Sequence, residues 1–456
     1  MTTRVVRVGG GSGMWGDDLD APRRLVEGGP LDYLMLDFLA EVTMSVLQRQ
    51  KDKDPQHGWA GDVVGILESV LPAIRDRHLR VLANAGGVNP PACGAAVRAM
   101  LERAGAAGQV RVALLTGDDL LPRIDGLVAA GHEFRHMETG EPLASVRDRL
   151  VSANAYIGSA PLAQALAQGA HIVITGRCHD AALASAPFRH EFGWASTDYD
   201  RLAAATIAGH VIECGAQATG GNCLADWRSV PNLADVGYPI AEMEADGTCV
   251  ITKHPGTGGR VSRQSVTEQL VYEIGDPHAY ITGDVVSDFT SIRIEDLGGD
   301  RVRLSGMKGR APTGKLKVSA AYRDGFKAVG TLVYAWPDAR DKAMAAARIL
   351  RERIDRIGLR FDAVHVEVIG AGAVHGALAG PDAGHDAPEV QLRYGVRGQD
   401  RRAVERFTRE IAPLVLNGPP SVTGYFGARA KVEEILAYWP ALVDAGVVTP
   451  SVELLP

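Results

Sequence analysis

The sequence lacks the features that would assign it quickly to several large functional classes. Its five cysteines (Cys93, Cys178, Cys214, Cys223 and Cys249) are odd in number and show no paired spacing. This argues against a disulfide-built secreted scaffold and for a reduced, cytoplasmic setting. No apolar run approaches the roughly 20 residues of a membrane helix. The opening "MTTRVVRVGG" has no long apolar core of the kind a signal peptide carries. No basic stripe is present and the formal charge is −7, so nucleic acid is not the expected partner. Aromatics are sparse beside 53 glycines. In a folded chain, so many glycines mean tight turns and close backbone approaches.

What is present is alternation. In the first 200 residues, short apolar runs at "RVVRVGG", "LDYLMLDF", "LRVLANAGG", "QVRVALLTGDD" and "HIVITGR" read as strands, with helical stretches between them. One such stretch places Val64, Leu67, Val70, Leu71 and Ile74 in a helical rhythm. Strands alternating with helices imply βαβ units and a mostly parallel, doubly wound α/β sheet. After about residue 200 the texture becomes mixed α+β, with a hairpin signal at "SIRIEDLGGDRVRLSG" and an amphipathic helix over 341–358. The expected division is a doubly wound domain over 1–205 and a mixed domain over 206–456 that completes the site.

In open parallel sheets, ligands sit outside the carboxyl ends of the strands. Here those ends are polar or rich in glycine: "GGGSGMWGDD", Asp37 with Glu41, "NAGGVNP", "TGDD" and "TGRCHD". Gly11, Gly13 and Gly16 have dinucleotide-binding spacing, but Asp17 and Asp18 would repel a pyrophosphate. A tight turn lining a pocket is the better reading. No cofactor is required. A minority reading lets Asp17, Asp18, Asp118 and Asp119 gather around a divalent cation such as magnesium. Asn84 and Asn89 suit either fixation of a carboxylate or plain turn chemistry.

Cys178, His179 and Asp180 are adjacent, and neighbouring residues do not point at one another, so they cannot form a relay along the chain. No other Cys/His pair has zinc-ligand spacing, so no metal site is assigned. Arg177 is expected to clamp an anionic group, with Asp180 and His179 as proton carriers and Cys178 incidental. "ECGAQATGGN" offers Glu213 and Asn222. "KHPGTGGRVS" offers Lys253, His254, and the Gly256, Thr257, Gly258 and Gly259 amides as an anion nest. His254 would act as a general acid or base there. His210 and His278 read as structural.

The blocks "GGGSGMWGDDLD", "NAGGVNP", "ANAYIGSAPLAQAL", "AGHVIECGAQATGGN", "HPGTGGRVS" and "TEQLVYEIGDPHAY" occur in an order that resembles the acyclic terpene utilization AtuA family. The resemblance runs over roughly residues 4 to 445. It implies a place in bacterial degradation of acyclic terpenes such as citronellol and geraniol, where intermediates travel as acyl-CoA thioesters. Where many relatives have "GRVAD" this chain has "GRCHD", so only the frame of Gly176, Arg177 and Asp180 carries over. Longer relatives append a small ferredoxin-like domain. The resemblance therefore implies that a separate small polypeptide supplies one here.

Together these readings predict a cytoplasmic, homo-oligomeric catabolic enzyme acting on a carboxylate or acyl-CoA substrate by lyase or hydratase chemistry. The competing reading is a non-catalytic acyl-CoA-binding subunit of a larger, carboxylase-linked assembly.

Overall fold

Each apolar run expected as a strand in the first 200 residues is one in the computed structural model, which describes residues 4–224, 227–423 and 430–455. The chain forms two compact units, residues 4–321 with 438–455, and residues 322–437. The first opens with β1 (Val5–Ser12), α1 (Ala21–Glu27), β2 (Tyr33–Leu36), α2 (Glu41–Lys53), α3 (Asp62–Asp76), β3 (Arg80–Ala83), α4 (Pro90–Arg103) and β4 (Val112–Thr116). It continues through α5 (Ile124–Ala129), β5 (Leu150–Ala155), α6 (Ser159–Ala167), β6 (Ile172–Thr175), α7 (Ala182–Phe192) and α8 (Tyr199–Glu213). This last helix spans the sequence boundary expected at 205/206. Then come β7 (Ile240–Glu244), β8 (Cys249–Thr252), α9 (Arg263–Val271), β9 (Tyr280–Ile281), β10 (Val286–Asp288), β11 (Arg293–Asp296), β12 (Arg301–Ser305) and β13 (Lys308–Arg310).

β14 (Lys315–Ala335) leads into the second unit. That unit adds α10 (Ala339–Arg356), β15 (Ala363–Ile369), β16 (Glu389–Gly398), α11 (Arg401–Ile411), α12 (Leu414–Asn417) and β17 (Val422–Thr423). β18 (Glu433–Asp444) carries the chain back to the first unit, which also contains β19 (Ser451–Leu454).

The large sheet has ten strands in the order β11-β12-β8-β7-β1-β2-β3-β6-β4-β19. It is mixed rather than mostly parallel. Only the central β1-β2-β3-β6-β4 neighbours run parallel, and antiparallel strands extend it on both sides. The residues explain the difference. β2 (YLML) and β6 (IVIT) are buried throughout, as strands covered on both faces must be. β12 (RVRLS) alternates buried and half-buried positions, the pattern of an antiparallel strand with one polar face. The expected hairpin is the β11–β12 pair.

Two apolar clusters cover the parallel strands. One packs α6, α7 and α8 residues such as Leu166, Phe188 and Ile212 against Val8, Met35 and Val173. The other packs α3 and α4 residues such as Leu67, Val70 and Val97 against Leu34, Val81 and Ile174. α8 is buried continuously from Leu202 to Glu213, and its apolar and small residues lie on every side. Such a helix is a core element, and it carries polar residues at its end into the interior.

In the second unit, α10 buries Ala339, Ala343, Ala346, Ala347, Leu350 and Ile354, while Arg348, Arg351 and Arg356 are exposed. Burying each of Leu350 and Ile354 contributes about 1.5–3 kcal/mol. The strand order β15-β16-β14-β17 is antiparallel throughout and follows a β-α-β-β-α-β chain order, the ferredoxin-like split arrangement. The described residues of 322–437 thus build a ferredoxin-like unit within the chain itself. No helix among the described residues is long and apolar enough to cross a membrane.

Candidate functional site

The carboxyl ends of the parallel strands deliver polar side chains to one region of the first unit. Asp37 follows β2, Asn84 follows β3, Asp118 follows β4 and Arg177 follows β6. The Asn84 Nδ2 donates to Asp37 Oδ1 at 2.6 Å, and its Oδ1 accepts from the Phe38 amide at 2.7 Å. Asn84 therefore fixes the Asp37 carboxyl. Burial, reinforced by the charge of Asp180, pushes that carboxyl well above its ordinary range.

The 176–180 turn is held by two anchors. The Arg177 amide donates to Asp118 Oδ2 at 2.9 Å, and Asn154 Nδ2 donates to the same oxygen at 2.8 Å. Gly176 is required there, because a Cβ would lie 2.5 Å from that carboxylate. Burial raises Asp118 to about 6 despite both donors. The second anchor is Ile157, whose amide donates to Arg177 O and whose carbonyl accepts from the His179 amide. Cys178 forms an isolated bridge with Ile157, so its side chain and those of its neighbours point to opposite sides. Cys178 enters the apolar core, while Arg177 and His179 make the polar contacts. The adjacent trio is thus split between two environments.

Arg177 is 1% exposed. Its Nη1 donates to Leu39 O at 2.8 Å and to Asp180 Oδ1 at 2.7 Å, and its guanidinium stacks 4.1 Å from the centre of the Tyr156 ring. Lys317 lies 4.9 Å from the same ring. Tyr156 donates to Glu41 Oε1 at 2.7 Å, and Lys317 donates to the same oxygen at 3.0 Å. Burial would raise Glu41, but the Tyr156 hydroxyl and the Lys317 and Arg177 charges outweigh it and bring the carboxyl down to about 2.

Two imidazoles each pair with a carboxylate. His179 Nε2 lies 2.8 Å from Asp284 Oδ2, which also accepts from the Ser159 amide at 2.7 Å, at the start of α6. Gly158 admits this carboxylate, since a Cβ would stand 2.6 Å from Asp284 Oδ1. Burial opposes ionisation of Asp284, yet the His179 and Ser159 contacts prevail and lower its pKa. The His179 Nε2 is therefore the protonated nitrogen. Its Nδ1 is buried and has no hydrogen-bond partner among the described residues.

His210 Nδ1 lies 3.0 Å from Glu213 Oε1, and its Nε2 lies 3.0 Å from the Gln269 carbonyl. A carbonyl only accepts, so Nε2 carries hydrogen, and the contact with Glu213 holds one further proton. Burial raises Glu213, and Asp180 adds to the rise. Burial would lower His210, but Glu213 raises it. Glu213 Oε2 is also buried without a partner among the described residues. Asp180 and His179 both act electrostatically on Glu213, and Tyr280 feels Glu213 and Asp180 in turn.

Arg177, His179, Asp180, Glu213 and Asn84 are therefore brought together. The other expected site residues are placed elsewhere. Asn89 Nδ2 is spent on the carbonyls of Pro55 and His57. Asn222 is exposed, in a left-handed turn. Lys253 donates to Thr257 O at 2.9 Å and pairs with Asp300 at 3.0 Å. His254 Nε2 lies 2.9 Å from Leu25 O, and burial lowers its pKa. The Thr257 hydroxyl donates to His254 O, and the Gly258 and Gly259 amides donate to Asp235 O and Pro231 O. Lys253, His254 and Gly256 line a separate groove of about 420 Å³ with Arg7, Glu242 and Arg301.

The carboxylate set considered for a divalent cation is not assembled. Asp17 accepts from the Gly13 amide and the Tyr238 hydroxyl, and Asp18 pairs with Arg24. Among the described residues, no group of three or more His, Cys, Asp or Glu is arranged to hold a metal ion.

Asp284, His210, Tyr156, Lys317 and Glu41 are the members of the site that sequence reasoning did not select. Glu41 carried a signal, as a polar residue just past β2. Asp284 sits in "ITGDVV", which reads as an ordinary turn.

A sequence model of the family described as "Acyclic terpene utilisation family protein AtuA" matches residues 6–454. No curated protein matches the chain, and no solved structure does.

Proposed function

The chain belongs to the acyclic terpene utilisation AtuA family, and from that premise we propose that it is a catabolic enzyme of hydratase or lyase type. Its substrate would be a carbonyl compound such as an acyl-CoA thioester. The observation that carries this reading is the contrast between two buried dyads. Asp284 is held ionised and leaves His179 Nδ1 as a lone-pair acceptor, while Glu213 is raised towards its protonated form. Environments that push two groups apart in this way supply a base and an acid at the same pH.

In the elimination direction, His179 Nδ1 removes the proton next to the carbonyl. The Cα electrons form the double bond. The Glu213 carboxyl gives its proton to the departing hydroxyl, which leaves as water. Proton return from His179 to Glu213 resets the pair, and hydration is the reverse. Asp284, hydrogen-bonded to His179 Nε2, stabilises the positive charge that develops on His179.

The test is incubation with enoyl-CoA and 3-hydroxyacyl-CoA esters of branched acyclic chains in D2O, followed by mass spectrometry. Turnover with deuterium at Cα is expected, with His179→Ala and Glu213→Gln each lowering kcat at least 100-fold. Binding of these esters with neither turnover nor exchange overturns the reading and leaves a non-catalytic acyl-CoA-binding subunit in its place.

A further inference from the structure

β15 is paired on one side only. Among the described residues its partner is β16, and no strand lies along its outer edge. An open edge of this kind is a template for another chain. The outer strands of the ten-stranded sheet are guarded, since β11 and β19 have four residues each and three of the four in β11 are charged. β15 (AVHVEVI) has seven residues, with four β-branched side chains and neither lysine nor proline.

Exposure falls at the centre of this strand. Val364 and Val368 pack on the apolar cluster beneath α10, yet Val366 between them, on the same face, is 36% exposed. On the other face His365 is exposed, with its Nε2 3.0 Å from Glu367 Oε1. Arg393 of β16 donates to Glu367 Oε2 at 2.8 Å.

The order of these residues is self-complementary. Antiparallel pairing of two copies about a two-fold axis through Val366 sets Val366 against Val366 and His365 against Glu367. It also sets Val364 against Val368 and Ala363 against Ile369. Residues directly opposite share a face of the sheet. The apolar row formed by Tyr394 and Val366 then continues into the same pair of the second copy, and an imidazole meets a carboxylate twice. Moving the axis by one residue sets His365 against His365 or Glu367 against Glu367, and like charges directly opposite are unfavourable. The charge pattern therefore selects one register.

We propose that two copies of this chain join at β15, edge to edge and antiparallel about Val366, so that the sheet continues across a two-fold axis.

The experiment measures the mass of the full chain by sedimentation velocity at micromolar concentration. Twice the chain mass is expected. Val366→Lys sets two ammonium groups at the axis and is expected to give single chains with unchanged circular dichroism. His365→Glu faces Glu367 with a like charge twice per dimer and is expected to raise the dimer Kd about tenfold. Adding Glu367→His to that variant is expected to restore it. Oxidised Val366→Cys is expected to form a linked dimer absent from the unsubstituted protein, because directly opposed Cα atoms stand about 4.5–5.5 Å apart, within disulfide reach. Single chains in the unsubstituted protein overturn the proposal. A dimer that persists in folded Val366→Lys, or an unchanged Kd in His365→Glu, does the same. If Val366→Lys does not fold, the Val366→Cys link decides: its formation upholds the proposal and its absence overturns it.

Discussion

Asp284 Oδ2 stands 2.8 Å from His179 Nε2, and in the neutral imidazole that contact places the hydrogen on Nε2 and the lone pair on Nδ1. Asp284→Asn replaces an acceptor by a group that also donates, so the opposite tautomer becomes favoured. A loss of about 10²–10⁴ in kcat with little change in KM is expected from steady-state kinetics. The ordinary carboxyl value is 3.8 and the folded value lies below it. Ionised Asp284 therefore stabilises the fold at neutral pH, and its contribution is lost as pH falls below 3.8.

Arg177 is enclosed, paired with Asp180 and stacked on Tyr156. Removing it leaves the half-buried Asp180 carboxylate and the Leu39 carbonyl without their donor. Arg177→Ala is expected to cost about 3–5 kcal/mol, read from the urea midpoint. A variant of unchanged stability that has lost ligand affinity would instead identify Arg177 as a direct clamp.

Asp118 has a folded pKa of about 6 against an ordinary 3.8. The folded state therefore holds this proton more tightly than the unfolded chain does. The resulting stability is present in full below 3.8 and is lost as pH rises through 6, a change of about 3 kcal/mol. Asp118→Asn keeps an acceptor for the Arg177 amide and is expected to flatten that part of the stability profile. Urea titrations between pH 4 and 7 check it.

Glu41 behaves oppositely. Its folded value of about 2 lies below the ordinary 4.5. Its stabilisation is present above 4.5 and lost as pH falls towards 2. The carboxylate is partly exposed, which reduces the contribution to roughly 1–2 kcal/mol. Glu41→Gln is expected to be destabilised by that amount at pH 7, with the gap closing in acid. A constant gap across pH would show that the Tyr156 and Lys317 contacts do not depend on the charge.

Much of the architecture could be read along the chain. β1, β2, β3, β4 and β6 stand out because continuous apolar runs buried on both faces end in glycine or polar residues. For the same reason Asn84, Arg177 and Asp180 could be placed at strand ends. The mixed character of the sheet was less visible, because pairing of β7 with β1 depends on contacts more than two hundred residues apart. The partners that give the site its chemistry were hidden likewise. Asp284 reaches His179 across about a hundred residues, and Lys317 reaches Glu41 across nearly three hundred. Lys253 and His254 looked like ligand residues because the loop is rich in glycine, but Gly258 and Gly259 serve close packing against 231–237.

β19 pairs with β4 across more than three hundred residues. During synthesis, β4 therefore emerges from the ribosome long before the strand that seals its edge, and the whole of residues 322–437 is translated in between. A nascent chain halted ahead of Ser451 presents the Val112–Thr116 edge unpaired, which makes the Ser451–Leu454 strand a protection against aggregation.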